Sequence, residues 1–227
     1  TNNKMKKTLI LLLSAVLTMP IFAQNDFEKH NFSMNAGYAY KATDLHPMQF
    51  VNMFENEDHA KLMKHGYELE FDYDYRFHKL FSVGLKASMF GSVHGFDVTT
   101  IDYSGEEKVV YYSDDMNIFY VGPTFKFQLP TIANHWDIWT RATIGYMSMR
   151  NTDKAAATAT YSGDCFGWGL GFGVDYSISR YIGVGASFGL LGGTVSTLKM
   201  GEDEFDITGE EESLHRFNFN IGVRIRL

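Results

Sequence analysis

From Tyr67 to Phe77 the chain alternates without a break. Tyr67, Leu69, Phe71, Tyr73, Tyr75 and Phe77 fall on one face of an extended strand, and Glu68, Glu70, Asp72, Asp74 and Arg76 on the other. Successive side chains of a strand point to opposite faces, so this strand needs one apolar and one strongly polar surrounding. A membrane-spanning barrel supplies both, lipid outside and a polar lumen inside, and its sequence signature is a stretch of about ten such residues.

The pattern recurs. Apolar phases run through Phe32 to Tyr40, Phe81 to Met89, Phe119 to Leu129, Trp136 to Tyr146, Phe166 to Ile178, Ile182 to Leu190 and Phe217 to Leu227, giving eight segments with the one above. Trp139 and Met147 sit on the wrong face of the fifth. Tight connections at His78 to Leu80, near Pro130 to His135, and at Ser179 to Tyr181 alternate with long polar ones. The long ones span about Lys41 to Gly66, His94 to Met116, Arg150 to Asp164 and Gly192 to His215. Short periplasmic turns and long extracellular loops are the connectivity of bacterial barrels. The predicted fold is an all-β, eight-stranded antiparallel up-and-down transmembrane β-barrel over residues 24–227. A soluble barrel with an apolar interior does not fit, because the bulky phase would have to fill a narrow lumen. The other face of the sixth segment carries only Gly167, Gly169, Gly171, Gly173, Asp175 and Ser177.

Residues 1–23 read as a secretory signal peptide. Lys4, Lys6 and Lys7 precede the apolar run Leu9 to Leu17, which is too short to span a bilayer, and Ala23 offers a small residue at the cleavage point. Met5 is the expected natural start, which sets Thr1 to Lys4 apart. Cleavage removes three lysines and no acid, so the net charge of -7 becomes more negative still, and a nucleic-acid partner is disfavoured. Cys165 is the single cysteine, which excludes an intramolecular disulfide.

With the apolar phase outward, the lumen receives a charge network of Glu68, Glu70, Asp72, Asp74, Asp137 and Asp175 against Arg76, Lys86, Lys126, Arg141, Arg216, Arg224 and Arg226. A three-residue turn at His78 to Leu80 pairs Phe77 with Phe81 and sets Asp72 across from Lys86. The glycine rows, with Gly183, Gly185 and Gly189 of the seventh segment, leave room for arginines reaching over from other strands, which describes a salt-bridged plug. Relief of crowding in a tightly curved wall explains the same glycines.

Candidates for chemistry are sparse. Ser92, His94 and Asp97 lie where the third strand leaves the membrane and contain the residue types of a hydrolase or acyltransferase site, without a known nucleophile spacing. His46, His59 and His65 have no metal-like spacing, and His30 and Ser33 sit near the inner rim. Glu202, Asp203, Glu204 and Asp206 lack the order of a calcium loop. No catalytic residue, metal ligand or cofactor is assigned. Tyr38, Tyr40, Tyr67 and Trp136 suit an interfacial aromatic girdle.

Signal peptide, eight segments, three tight turns, four long loops and the terminal run Phe217-Asn218-Phe219-Asn220-Ile221-Gly222-Val223-Arg224-Ile225-Arg226-Leu227 together resemble the small eight-stranded outer-membrane barrels of Gram-negative bacteria, the OmpA/OmpX-type and general outer-membrane β-barrel domain families. Their last strand often ends in phenylalanine, from which Leu227 departs. The resemblance implies residence in the outer membrane, contact with outer-membrane lipids and lipopolysaccharide, and handling by the barrel-assembly machinery. The expected function is non-enzymatic: surface interaction, adhesion or envelope integrity through long acidic loops. The alternatives are an enzyme modifying lipid A or phospholipid at the outer rim, and a narrow pore.

Overall fold

The computed structural model describes residues 28–43, 61–101, 106–129, 135–154, 158–201 and 203–227. The expected signal peptide, His46 and His59 lie outside them. Seven long strands follow one another as β1 (His30–Lys41), β2 (His65–His78), β3 (Phe81–Ile101), β4 (Glu107–Gln128), β5 (Trp136–Lys154), β6 (Thr158–Ser177) and β7 (Ile182–Val195). Three short ones, β8 (Thr197–Met200), β9 (Asp203–Asp206) and β10 (Glu212–Ser213), precede the last long strand, β11 (Arg216–Arg226).

Each long strand pairs antiparallel with its neighbour in sequence, and β11 pairs with both β7 and β1. Eight strands therefore close into a ring with no free edge through the membrane, pairing the wall backbone where lipid offers no hydrogen bond. The ends are tied as well: His30 N donates to Leu227 O at 2.8 Å, and Leu227 N to His30 O at 2.8 Å.

Register follows the alternation. Asp72 stands opposite Lys86, and the β2–β3 ladder runs evenly from Tyr67↔Gly91 to Arg76↔Ser82. The turn differs from the expected three-residue loop, because a bulge between Arg76 and His78 shifts the register so that His78 pairs Phe81. Phe77 occupies the bulge and its ring still stacks on Phe81, centroids 6.4 Å apart. At the β6–β7 turn, Ser179 Oγ accepts from Ile182 N at 3.1 Å and from Tyr181 N at 3.3 Å, a side chain closing its own turn.

Three of the four long loops are shorter than expected. The β3–β4 ladder continues to Ile101↔Glu107 and the β5–β6 ladder to Lys154↔Thr158. The segment after β7 folds back, with β8 pairing β6 through Tyr161↔Met200 and Ser162↔Lys199, and β10 pairing β7 through Glu212↔Val195. The sequence reading ended these strands at the membrane because their outward residues turn polar there: Ser113, Asp115 and Asn117 on β4, Ser148, Arg150 and Thr152 on β5, Thr160, Ser162 and Asp164 on β6. Strand parity does not change at that level. The polarity of the two faces does.

The barrel thus has two storeys. In the membrane storey the outward side chains are Phe119, Val121, Phe125, Ile144, Phe166, Leu170, Phe172 and their like, and the inward ones are charged. In the storey above, the inward side chains Phe90, Tyr112, Met116, Ile118, Tyr120, Met147, Met149 and Leu191 form an apolar core, roofed by Met63, Val195, Leu198 and Leu214, with Asp114, Asn151 and Asp153 buried toward its upper end. Phe90, Ile118 and Met149 form one row across three strands. Water outside this storey calls for an ordinary hydrophobic interior, just as lipid outside the lower one calls for a polar interior.

Candidate functional site

The site built into the lower storey is its lumen. β2 contributes the acids Glu68, Glu70, Asp72 and Asp74, each buried. Arg141 of β5 crosses to them, with contacts to Asp72, to Asp74 Oδ2 at 3.2 Å and to Glu70 Oε1 at 3.5 Å. Lys86 contacts Glu70, although its register partner is Asp72, and Lys126 Nζ reaches Asp74 Oδ2 at 3.1 Å. Near the short turns, Arg224 Nε donates to Asp175 Oδ1 at 2.9 Å, and Arg226 to Asp137 at 2.9 Å. Near the outer end, Arg216 Nε donates to Glu68 Oε2 at 3.3 Å and its NH2 to Ser88 Oγ at 3.1 Å. Arg76 donates to Gln128.

Amides knit these pairs together. Asn35 Nδ2 donates to Glu70 and Asp72, each at 3.3 Å, Asn35 Oδ1 accepts from Arg224, and Asn220 Nδ2 donates to Glu70 at 3.3 Å. Burying ions is costly unless each is paired and hydrogen-bonded, so a lumen this charged holds together only as a network. Arg216 and Arg224, at 0% and 1% exposure, are among the largest fully buried side chains.

Trp139 is the lumen residue that a search for charges passes over, and its place on the wrong face of β5 was the signal. Lys126 Nζ lies 4.7 Å and Arg141 Cζ 5.0 Å from its ring centroid, both within cation–π range. Behind it stands the glycine wall of β6, where a Cβ on Gly173 would collide with the Trp139 ring. The two glycine rows have different tenants. On β6 they seat Trp139, and near the rim Tyr120 and Leu191; on β7, Gly185 lies against Asp175 and Arg224. A cavity of about 20 Å³ lined by Glu70, Lys86, Trp139, Arg141, Ser187 and Asn218 has room for about one water. A larger hollow of about 770 Å³ opens on the lipid-facing wall among Met34, Phe71, Trp136, Val184 and Ile221.

The strand-exit trio is not brought together. Ser92 and His94 face inward and Asp97 faces outward, and Ser92 Oγ donates to His65 O at 2.7 Å. His30 Nδ1 lies 2.9 Å from Tyr73 OH at the inner rim. His65 stacks with Tyr38 and Tyr40 and hydrogen-bonds Tyr38 OH. In the acidic fourth loop, Glu202 lies outside the described residues and Asp206 closes a local turn. Its carboxyl is held below the ordinary value by the Thr208 hydroxyl at 2.6 Å and the Thr208 amide at 3.0 Å. Above the lumen, a buried pair unforeseen in the sequence, Lys41 Nζ to Glu212 Oε1 at 2.9 Å, ties the end of β1 to β10.

Among the described residues no helix is long and apolar enough to cross a membrane, and no group of three or more His, Cys, Asp and Glu side chains is placed to hold a metal ion. A closed ring with a lipid-type exterior and an ion-paired interior defines a transmembrane β-barrel. The chain belongs to the family of the outer membrane protein beta-barrel domain, whose model matches residues 9–226, and its place is the outer membrane. Comparison with the curated proteins gives no match. Among solved structures it is similar to Neisserial surface protein A, with 11% identity over 87% of this chain and 97% of that one at a TM-score of 0.52. It is similar too to a major outer membrane protein of Thermus thermophilus, with 11% identity over 87% and 99% at 0.51. At such identity the likeness is one of fold.

Proposed function

We propose that this is a non-enzymatic outer-membrane protein whose closed barrel carries a rigid extracellular platform for contact with a surface partner. The observation that carries this reading is the β3–β4 ribbon. β2 pairs β3 no further than Gly91, and β5 pairs β4 no further than Ser113, so among the described residues both outer edges of the ribbon beyond those points are unpaired by the wall. Such edges accept an added strand, and outward side chains alternating along them supply specificity. Val93, Val109 and Tyr111 are 58%, 63% and 63% exposed there, well clear of the lipid-facing band. The ion-paired lower lumen and the apolar upper core support a sealed barrel over a pore. The separation of Asp97 from Ser92 and His94 weighs against an enzyme acting on lipid A or phospholipid at that exit.

Photo-crosslinking on living cells tests the proposal. A photoreactive residue at Tyr111 is expected to capture a discrete protein adduct that the same probe at lipid-facing Phe125 does not, and shortening the ribbon between Thr99 and Val109, which leaves the probe in place, is expected to abolish it. A protein-dependent change in the acyl pattern of outer-membrane lipid, with no adduct at Tyr111, would overturn it in favour of the enzyme.

A further inference from the structure

The two free edges of the β3–β4 ribbon differ in what they offer a partner. The β3 edge beyond Gly91 includes Gly95 and Asp97, residue types that strands disfavour. On β4 the stretch from Glu107 to Tyr112 pairs β3 on one side and, among the described residues, no strand on the other. That edge is about 20 Å long. Its centre is Val109-Val110-Tyr111-Tyr112, β-branched and aromatic with no charge, glycine or proline, a composition that exposed edges ordinarily avoid. The Tyr111 ring leans away from the edge: a Cβ on Gly95 would collide with it, so the ring lies across β3. Inside, Phe96 and Tyr112 pack ring against ring at 5.2 Å and stiffen the ribbon.

This edge is complementary to itself. Laid antiparallel on a second copy with Val109 opposite Val109, it sets Lys108 against Val110 and Glu107 against Tyr111. Each pair keeps its parity, so outward side chains meet outward ones and the two ribbons join as one sheet. The outward rows of the joined sheet read Thr99–Val109–Val109–Thr99 at the centre and Asp97–Tyr111–Glu107–Ile101 on either side of it. The mate's strand then runs in line with β5, whose last ladder residue on β4 is Lys154, opposite Ser113. Its Glu107 arrives two residues, about 7 Å, from Lys154 on the same outward face, within reach of an ion pair. Lys154 is exposed, and Asp115, diagonal to it, accepts from Asn117 Nδ2 at 2.7 Å. A two-fold interface repeats every contact, so the Glu107–Lys154 pair forms twice.

We infer that the Glu107–Tyr112 edge of β4 binds the same edge of a second copy of this chain held in a facing membrane. The facing arrangement follows from the pairing. Its two-fold axis stands perpendicular to the wall and therefore lies in the plane of the membrane, which turns the mate's barrel upside down. The inference rests on the ribbon as a contact platform and names its partner.

The test uses two differently dyed populations of phosphatidylcholine vesicles, each carrying the full chain and no other protein. In about 0.15 M salt, which screens the repulsion of two acidic chains beyond about 8 Å, they are expected to tether each other and not bare vesicles, read as two-colour coincidence. Glu107→Lys alone and Lys154→Glu alone each set like charges at both contacts and are expected to lose tethering. Mixing Glu107→Lys vesicles with Lys154→Glu vesicles makes both contacts attractive again and is expected to restore it, which also shows that the two variants are folded. In a Cys165→Ala background, oxidation of Val109→Cys is expected to link the two colours through a disulfide, because directly opposed residues lie about 4.5 to 5.5 Å apart at Cα, and oxidation of Val93→Cys is not. Wild-type vesicles that stay apart, variants that tether no better mixed than alone, or linkage through Val93→Cys in place of Val109→Cys would overturn the pairing. If the vesicles stay apart while the Tyr111 probe on living cells captures a protein of another mass, the second copy falls and the platform stands; if that probe captures nothing either, both fall.

Discussion

The two storeys of this barrel share strands, parity and register, yet invert their chemistry. On β4, Phe119, Val121, Phe125 and Phe127 point outward while Thr124 and Lys126 point inward; a few residues toward Glu107 on the same strand, Ser113, Asp115 and Asn117 point outward while Tyr112, Met116 and Ile118 point inward, with Asp114 the buried acid among them. The backbone is one continuous ladder with Phe90↔Ile118 just above Ala87↔Val121. What changes is the solvent. Alternation alone therefore gives the geometry of a strand, and the sense of its polarity tells which medium surrounds it at each height.

The largest effect should come from the ionic storey. Arg141→Met leaves Glu70, Asp72 and Asp74 sharing Lys86 and Lys126 in a dehydrated lumen, and urea unfolding of the bilayer-folded barrel is expected to show a loss of about 3 to 5 kcal/mol. Restoring balance with Asp72→Asn in the same chain should recover part of it; an unchanged midpoint in Arg141→Met would mean that the lumen is wet enough to screen its charges.

Next in size is a paired test of the outer face. Leu170→Arg, in the middle of the lipid-facing band of β6, is expected to cost about 2 to 4 kcal/mol, and Thr152→Arg, outward on β5 above the girdle, close to nothing. Equal costs would erase the boundary between the storeys. The glycine wall gives a smaller effect: Gly173→Ala drives a Cβ into the Trp139 ring and sets it 2.8 Å from Ala186 O. Overpacking of about 1 to 3 kcal/mol is expected, together with a shift in Trp139 fluorescence.

The smallest effect lies outside the membrane, at the inner rim. Glu28 Oε1 accepts from Arg180 Nε at 2.6 Å. Burial pushes the Glu28 carboxyl up, but the Arg180 hydrogen bond and charge outweigh it and hold the group below its ordinary value of 4.5. A depressed carboxyl contributes stability that is present above 4.5 and lost as pH falls through the lower folded value. Arg180→Gln should flatten that acid-side slope while changing stability at neutral pH by less than about 1 kcal/mol, since the arginine end of the pair is exposed to water.

The eight-stranded ring was legible in the sequence because lipid-facing strands alternate bulky apolar with polar residues and tight turns alternate with long ones. The upper storey was not, because a search for an outward apolar phase stops where the outward residues become Asn117 or Ser148. Met147 and Trp139 were the visible anomalies, and both turned out to mark inward packing. Parity assigns a side chain to a face; it does not choose its partner. Register sets Lys86 opposite Asp72, but the ammonium contacts Glu70, while Arg141 reaches Asp72 from three strands away. Those choices depend on barrel closure and side-chain length, which no local window contains.

The inversion at the rim is tested most directly by cysteine accessibility along β5, in a Cys165→Ala background, with a membrane-impermeant maleimide applied to intact cells. Cysteines at Ala142 and Ile144 should be shielded by lipid, those at Ser148 and Thr152 labelled, and those at Met147 and Met149 shielded by the upper core. Labelling at Met147 and Met149, or protection at Ser148 and Thr152, would contradict a barrel that turns its chemistry inside out where it leaves the membrane.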